Sequence, residues 1–266
     1  LVTVAPVTKE PDEDYVRLVA APPGEKIELA RYTLPEPPDG DVQRQITYLV
    51  NRLDLLTPYL SDELVTRIKD NPGSAHIVPE YRPVTSMFVN YKGMSALIDK
   101  LGDTSPDTIT KHINDYFKYM VDIVRGYDGT LARMDQYAVG DRLVIFFGAP
   151  VAHDDDPVLA VYAALDMQQA VRKHFAALRT SAGVFRFEQR IGINTGFLFS
   201  GNAGAPNLRQ EYTLMGDDIN MAARLMSYAK WGSVYISNKT EEQVRAHFTL
   251  SDRFDLKVKG KQILIP

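Results

Sequence analysis

The chain has 266 residues, 45% hydrophobic and 24% charged, with no cysteine; this composition suits a globular protein with one large core or two small ones, and it excludes disulfides and thiolate metal sites. A net charge of −4 offers no basic surface for phosphate backbones, so nucleic acid is not an expected partner. No apolar run approaches the roughly eighteen residues a spanning helix needs, and LVTVAPVTKEPDED lacks a signal peptide's basic start, so no membrane partner is expected and the cytoplasm is the expected compartment.

The opening Leu1, in place of Met, reads as the start of a piece of something longer. Residues 1–75 are expected to form a linker and helical lead-in, because PDED, APPGE and LPEPPDGD are acidic, proline-rich connecting chain. Two short apolar runs, Tyr15 to Ala20 and Ile27 to Tyr32, read as strands pairing with something outside the fragment. From Val42 to Lys69, apolar residues such as Ile46, Leu49, Leu53, Leu56, Leu60 and Ile68 recur at helical spacing, and Pro58 marks a break between two helices. VTSMFV (84–89) suits a buried strand. Ser105-Pro106 opens a helix whose Ile109, Ile113, Tyr116, Phe117, Met120 and Val124 share a face. Asp128-Gly129 turns the chain into a hairpin that ends in LVIFF (143–147). A helix from Asp156-Pro157 turns Val158, Val161, Tyr162 and Leu165 inward, and strands at RIGI (190–193) and VYIS (234–237) bracket a helix starting near Asp217. The order βαββαβ, with additions, predicts a ferredoxin-like α+β sandwich: an antiparallel sheet with helices packed on one face and the other face free for dimerisation.

On the third of these helices Asn220 and Arg224 stand four apart and point from one face, while Ile219, Ala222, Ala223 and Met226 turn to the sheet. An amide and a planar, permanently charged guanidinium thus converge, a pairing suited to phosphate oxygens. The bland alternative is a helix cap or a surface ion pair. The surrounding string, EYTLMGDDINMAARL (211–225), closely resembles the signature of class III adenylyl and guanylyl cyclases. SMFVNYKGMSALI (86–98), VGDRLVIFFGAP (139–150), RIGINTGFLFSGNAG (190–204) and VKG (258–260) follow the order of that family's other motifs. The resemblance assigns residues 76–266 to a class III nucleotidyl cyclase homology domain.

It implies conversion of ATP to 3′,5′-cyclic AMP and pyrophosphate at a site shared between two cyclase domains. There, a pair of Mg²⁺ or Mn²⁺ ions held by two aspartates activates the ribose 3′-hydroxyl, and an arginine stabilises charge at phosphorus. By the resemblance, Thr213 stands at the base-reading position and favours adenine, Asn220 orients the ribose, Arg224 contacts the phosphates, and Asp141 is the second metal aspartate. The departures are Asn90, where the first metal aspartate is expected, and the base-reading lysine. Counting back from Asp141 puts the latter at Tyr137; counting forward from Asp128-Gly129 puts it at Arg133, with MDQY inserted between. Arg133 is preferred because Tyr137 carries no charge. An amide is a weaker ligand than a carboxylate for a hard cation.

The same losses are similar to those of the second cyclase domain in tandem, bicarbonate-responsive soluble adenylyl cyclases, so the expectation is an ATP-binding half whose metal carboxylates come from an upstream tandem domain. A self-sufficient homodimer and a catalytically silent pseudo-cyclase, binding a nucleotide or effector or only dimerising, are the alternatives. His153-Asp154-Asp155-Asp156 reads as a helix start with Asp156 as N-cap, not a metal site. The glycines of GINTGFLFSGNAG lack dinucleotide-loop spacing and read as a hairpin between two strands. His112, His174 and His247 stand singly, and Trp231 reads as a buried or interface aromatic.

Overall fold

The computed structural model describes residues 3–6, 16–20, 41–57, 65, 69, 79–102, 104–205, 209–251 and 253. Its contacts divide the chain into two units, Leu1–Leu55 and Leu56–Pro266. In the first, β1 (Thr3–Pro6) pairs antiparallel with β2 (Val16–Ala20). The strand expected near Tyr15 to Ala20 therefore forms, but its partner lies in the same chain. The run from Ile27 to Tyr32 lies outside the described residues. Helix α1 (Val42–Leu56) ends two residues before Pro58, as expected of a residue whose ring bars the preceding turn from helical geometry. Of the second expected helix, only Val65 and Lys69 are described, both helical.

The second unit is built on a six-stranded sheet. Its strands are β3 (Glu80–Lys92), β4 (Thr130–Gln136), β5 (Asp141–Phe147), β8 (Glu188–Ala205), β9 (Arg209–Met215) and β10 (Val234–Ile236). They run in the order β10-β8-β3-β5-β4, with β9 paired to the far end of β8. A two-stranded ribbon of β6 (Leu178–Thr180) and β7 (Gly183–Phe185) stands apart. The β10–β8 pair is parallel and the other pairs are antiparallel.

Strand alternation sorts the side chains of β3 and β5 between two cores. Met87, Val89, Tyr91, Leu143, Ile145 and Phe147 face α2 (Met94–Leu101), α3 (Pro106–Gly126) and α4 (Asp156–Ala170), which cover one face of the sheet. Val84, Phe88, Val144 and Phe146 face the other way, toward α5 (Asp217–Tyr228). The βαββαβ order is present as β3, α2 with α3, β4, β5, α4 and β8; β9, α5, β10 and α6 (Asn238–Val244) are the additions. Among the described residues, helix α5 crosses the face left open by the other helices.

Two expectations are corrected. In α4, Val158 and Val161 are buried, but Tyr162 and Leu165 are 41% and 45% exposed. Beyond these two the helix body buries Ala160, Ala163, Ala164, Met167, Gln168 and Ala170, because small side chains let this helix seat close to the sheet. Second, GINTGFLFSGNAG is not a hairpin: residues 188–205 form one continuous strand. Its glycines serve approach. A Cβ at Gly192 would overlap the backbone of Met226 and Ala222, and one at Gly196 would overlap the Asp218 carboxylate, so both glycines let α5 lie directly on β8.

Candidate functional site

Helix α5 follows β9 with Gly216 alone between them, and it buries Ala222, Leu225 and Met226. That burial turns Asn220 outward, where it is exposed, and leaves Arg224 half-buried one turn further on. The helix is held at its first turn, where Lys239 pairs with both Asp218 oxygens at 2.9 and 3.1 Å and the Asn194 amide donates to Asp218 O at 2.7 Å. Thr213 is half-buried on β9 opposite Gly201, and alternation sends it to the face away from Leu214, which packs beneath α5. Among the described residues, no hydrogen bond or ion pair engages the side chains of Thr213, Asn220 or Arg224. The structure brings Asn220 and Arg224 onto one helix face and places Thr213 on the strand that feeds that helix.

Arg133 owes its direction to a β-bulge. Leu131 stands opposite Ile145 and Arg133 opposite Val144, so Ala132 is the extra residue. Unbroken alternation would have sent Arg133 to the same side as Leu131, into the helix-covered core. The bulge turns it instead to the side of Val144, the face on which α5 lies. Asp135 follows on the same face and grips Arg142 through two hydrogen bonds, of 2.8 and 2.6 Å. The Arg142 guanidinium lies 5.4 Å from the ring centres of both Phe88 and Tyr137. Tyr137 is committed elsewhere, its hydroxyl sharing a 2.7 Å hydrogen bond with Ser227 Oγ on α5.

Asn90 is fully buried in the central strand. Its cross-strand neighbours are Arg142 on β5 and Arg190 on β8, so Asp135, Arg142, Asn90 and Arg190 form one polar row across four strands. Asn90 Nδ2 donates to Val139 O at 2.7 Å and Asp141 O at 3.0 Å, while Oδ1 accepts from Arg190 Nε at 2.9 Å. Asp141 stands opposite Tyr91, on the helix side. The pleat therefore sends Asn90 and Asp141 from opposite faces of the sheet.

A two-ion site does not fit these residues. Asn90 has spent both its donor and its acceptor on protein groups, a guanidinium already sits at its oxygen, and Asp141 leads the other way. Among the described residues, no three His, Asp or Glu side chains converge in a way that could hold a metal ion.

Burial pushes the Asp141 carboxyl above its usual range. The ionised form is thus disfavoured in the fold, a penalty present at neutral pH that disappears as the pH falls below about 4, where an unfolded carboxyl is also protonated. Asp141→Asn is expected to melt higher than the native chain at pH 7 and to converge with it near pH 3.5, as read by thermal melts across pH. The same burial, reinforced by the nearby Asp141 charge, raises Tyr91. Tyr116 beneath it is raised by burial and donates to Gln189 Oε1 at 3.1 Å.

The other motifs resolve structurally. The N-cap of α4 is Asp155, not Asp156. Asp156, the first residue of the helix, is 7% exposed and accepts from the His153 backbone N–H at 2.9 Å, with His153 Nδ1 3.0 Å from its other oxygen. The carboxylate fastens the preceding loop instead of capping the helix. His174 stacks on Tyr119. Trp231 is half-buried, with Lys92 Nζ and Arg190 Cζ at 4.2 and 4.7 Å from its ring centre. The VKG motif at 258–260 lies outside the described residues. Sequence reasoning missed Arg190, Arg142, Asp135 and Ser227. The available signal was strand pairing: once RIGI and GDRLVIF flank FVN, Arg190 and Arg142 must flank Asn90.

The adenylate and guanylate cyclase catalytic domain family matches residues 77–265, and the chain belongs to it. It is 31% identical over 142 residues to adenylate cyclase 1 of Rhizobium meliloti, covering 53% of this chain and 20% of that protein. It is 26% identical over 188 residues to the membrane guanylyl cyclase of Dictyostelium discoideum, covering 71% of this chain and 11% of that protein. The chain therefore spans a fifth or less of these relatives. Among solved structures, the adenylyl cyclase CyaB of P. aeruginosa matches with a TM-score of 0.60 and 28% identity, over 71% of this chain and 93% of that one. The second unit is a cyclase catalytic domain of adenylyl or guanylyl type. No helix among the described residues is long and apolar enough to cross a membrane.

Proposed function

We propose that this domain is the substrate-holding half of an adenylyl cyclase, completed by a partner cyclase domain that supplies both metal carboxylates. The observation that carries the reading is an asymmetry: Asn220 and Arg224 share a helix face with no hydrogen-bond or ion-pair partner among the described residues, whereas Asn90, at the metal position, is satisfied within the chain. In the reaction the ribose 3′-oxygen bonds to the α-phosphorus, its proton leaves, and the bond to the pyrophosphate oxygen breaks. Asn220 would hold the ribose so that the 3′-oxygen lies in line. Arg224 would place its fork of donors on phosphoryl oxygens as charge builds there. Thr213 would read the base, and threonine at this position favours adenine over guanine by the family's pattern; Arg133, turned by the bulge to the α5 face, would meet the phosphates. Mg²⁺ or Mn²⁺ would neutralise the phosphates when bound by the partner's carboxylates.

The chain alone is expected to form little cyclic AMP with either ion and to gain activity on mixing with a cyclase domain that carries both aspartates. If every such mixture fails to turn over ATP, the half-site reading falls. The silent binding module is favoured by one observation, the locked Asn90. Calorimetric titration with a non-hydrolysable ATP analogue distinguishes it: binding without turnover in any mixture supports that module, and no binding leaves a bare dimerisation fold.

A further inference from the structure

Two members of the polar row, Asn90 and Arg190, also belong to a hydrogen-bonded ring. Tyr137 Oη meets Ser227 Oγ at 2.7 Å; Ser227 O accepts from Arg190 Nη1 at 2.7 Å; Arg190 Nε donates to Asn90 Oδ1 at 2.9 Å; and Asn90 Nδ2 returns to Val139 O at 2.7 Å, in the same turn as Tyr137. We propose that this ring is a positioning device, with Asn90 as its keystone, that fixes the last turn of α5 to the β4–β5 turn and so sets where Asn220 and Arg224 stand. Position 90 is then a structural asparagine, not a latent metal ligand.

Three features carry this. Asn220, Arg224 and Ser227 are spaced four and three residues apart, so they form one stripe of the helix, and anchoring its end fixes the rest. An amide is required at position 90, because one atom must accept from a guanidinium while another donates to two carbonyls. A carboxylate has no hydrogen for Val139 O or Asp141 O and would set a negative oxygen against both. Finally, Trp231 packs on Arg190 and holds the guanidinium in place, and the Ser227 hydroxyl also donates back to Ala223 O at 2.8 Å, so the ring has little slack.

The effect on turnover rests on the proposed function, but the ring can be read without partner or product. Hydrogen exchange of the α5 amides and Mn²⁺ titration by electron paramagnetic resonance would be measured on the full chain and on Asn90→Asp, Tyr137→Phe and Ser227→Ala. Exchange in the last turn of α5 is expected to rise about tenfold in Asn90→Asp and several-fold in each of the other two, with the Tyr137→Phe/Ser227→Ala double variant little worse than either single. Mn²⁺ binding by Asn90→Asp is expected to match the native chain. Tighter Mn²⁺ binding by Asn90→Asp, by about tenfold or more and with unchanged exchange, overturns the inference, as does unchanged exchange in Tyr137→Phe. Should Asn90→Asp not fold, the two hydroxyl variants carry the test, since both lie on partly exposed groups. In a mixture that turns over, Tyr137→Phe is expected to lower kcat while KM stays within about twofold; an unchanged kcat overturns the positioning role.

Discussion

Arg224→Ala, mixed with a partner cyclase domain, is expected to form cyclic AMP about a hundred- to a thousandfold more slowly than the native chain, the scale of losing one oriented donor to developing charge. The loss should fall on kcat, because the guanidinium meets the phosphates most strongly as charge builds. Arg224 is half-buried and makes no ion pair or hydrogen bond among the described residues, so the melting temperature should barely change. That combination of a large kinetic and a small thermal effect is the signature of a group held ready for a ligand. Arg224→Lys should recover only part of the rate, since an ammonium keeps the charge but loses the planar fork. Equal rates for native and Arg224→Ala chains in an active mixture would remove Arg224 from the chemistry.

Gly192→Ala should act in the opposite sense, with a large effect on the fold for a single methyl group. The added carbon would overlap the Met226 nitrogen and the Ala222 oxygen, backbone atoms of α5 that cannot rotate away. The helix must lift from β8, opening the contacts of Ala222 and Met226 with Phe88, Val84 and Leu198. Overpacking of this kind costs about 3 kcal/mol, which for a domain of this size lowers the melting temperature by about 10 °C. Activity should vanish in the same variant, because Asn220 and Arg224 ride on the displaced helix. A Gly192→Ala chain that melts within a degree of native would show that α5 does not depend on this contact.

The architecture was legible because its elements announce themselves. VTSMFV and LVIFF are apolar, β-branched or aromatic runs, the stripe from Ile109 to Val124 has helical spacing, and prolines mark the starts of α3 and α4. What escaped were features without a local signal. The alanines of α4 look neutral beside Tyr162 and Leu165, and only packing against the sheet shows that smallness was the requirement. The glycines of β8 read as a turn because their reason, a helix arriving from thirty residues later, is non-local. The candidate site divides in the same way. Asn220 and Arg224 are visible as a helical pair, and Asn90 as an amide where a carboxylate belongs. That Asn90 donates to a turn and accepts from Arg190 required the register of three strands.

The bulge at Ala132 makes the β4–β5 hairpin a parity device. Residues inserted beyond Tyr137 would lengthen the turn and leave every inward side chain inward. Straightening the bulge at constant length would exchange the two sides of β4, setting Arg133 and Asp135 toward the helices, stranding Arg142 without its carboxylate and withdrawing Tyr137 from α5, whereas deleting Ala132 would keep the sides, because Leu131 and Arg133 would then alternate in a plain ladder. The base of this hairpin can therefore lose its bulged residue and keep its sides, but it cannot lose the bulge and keep its length.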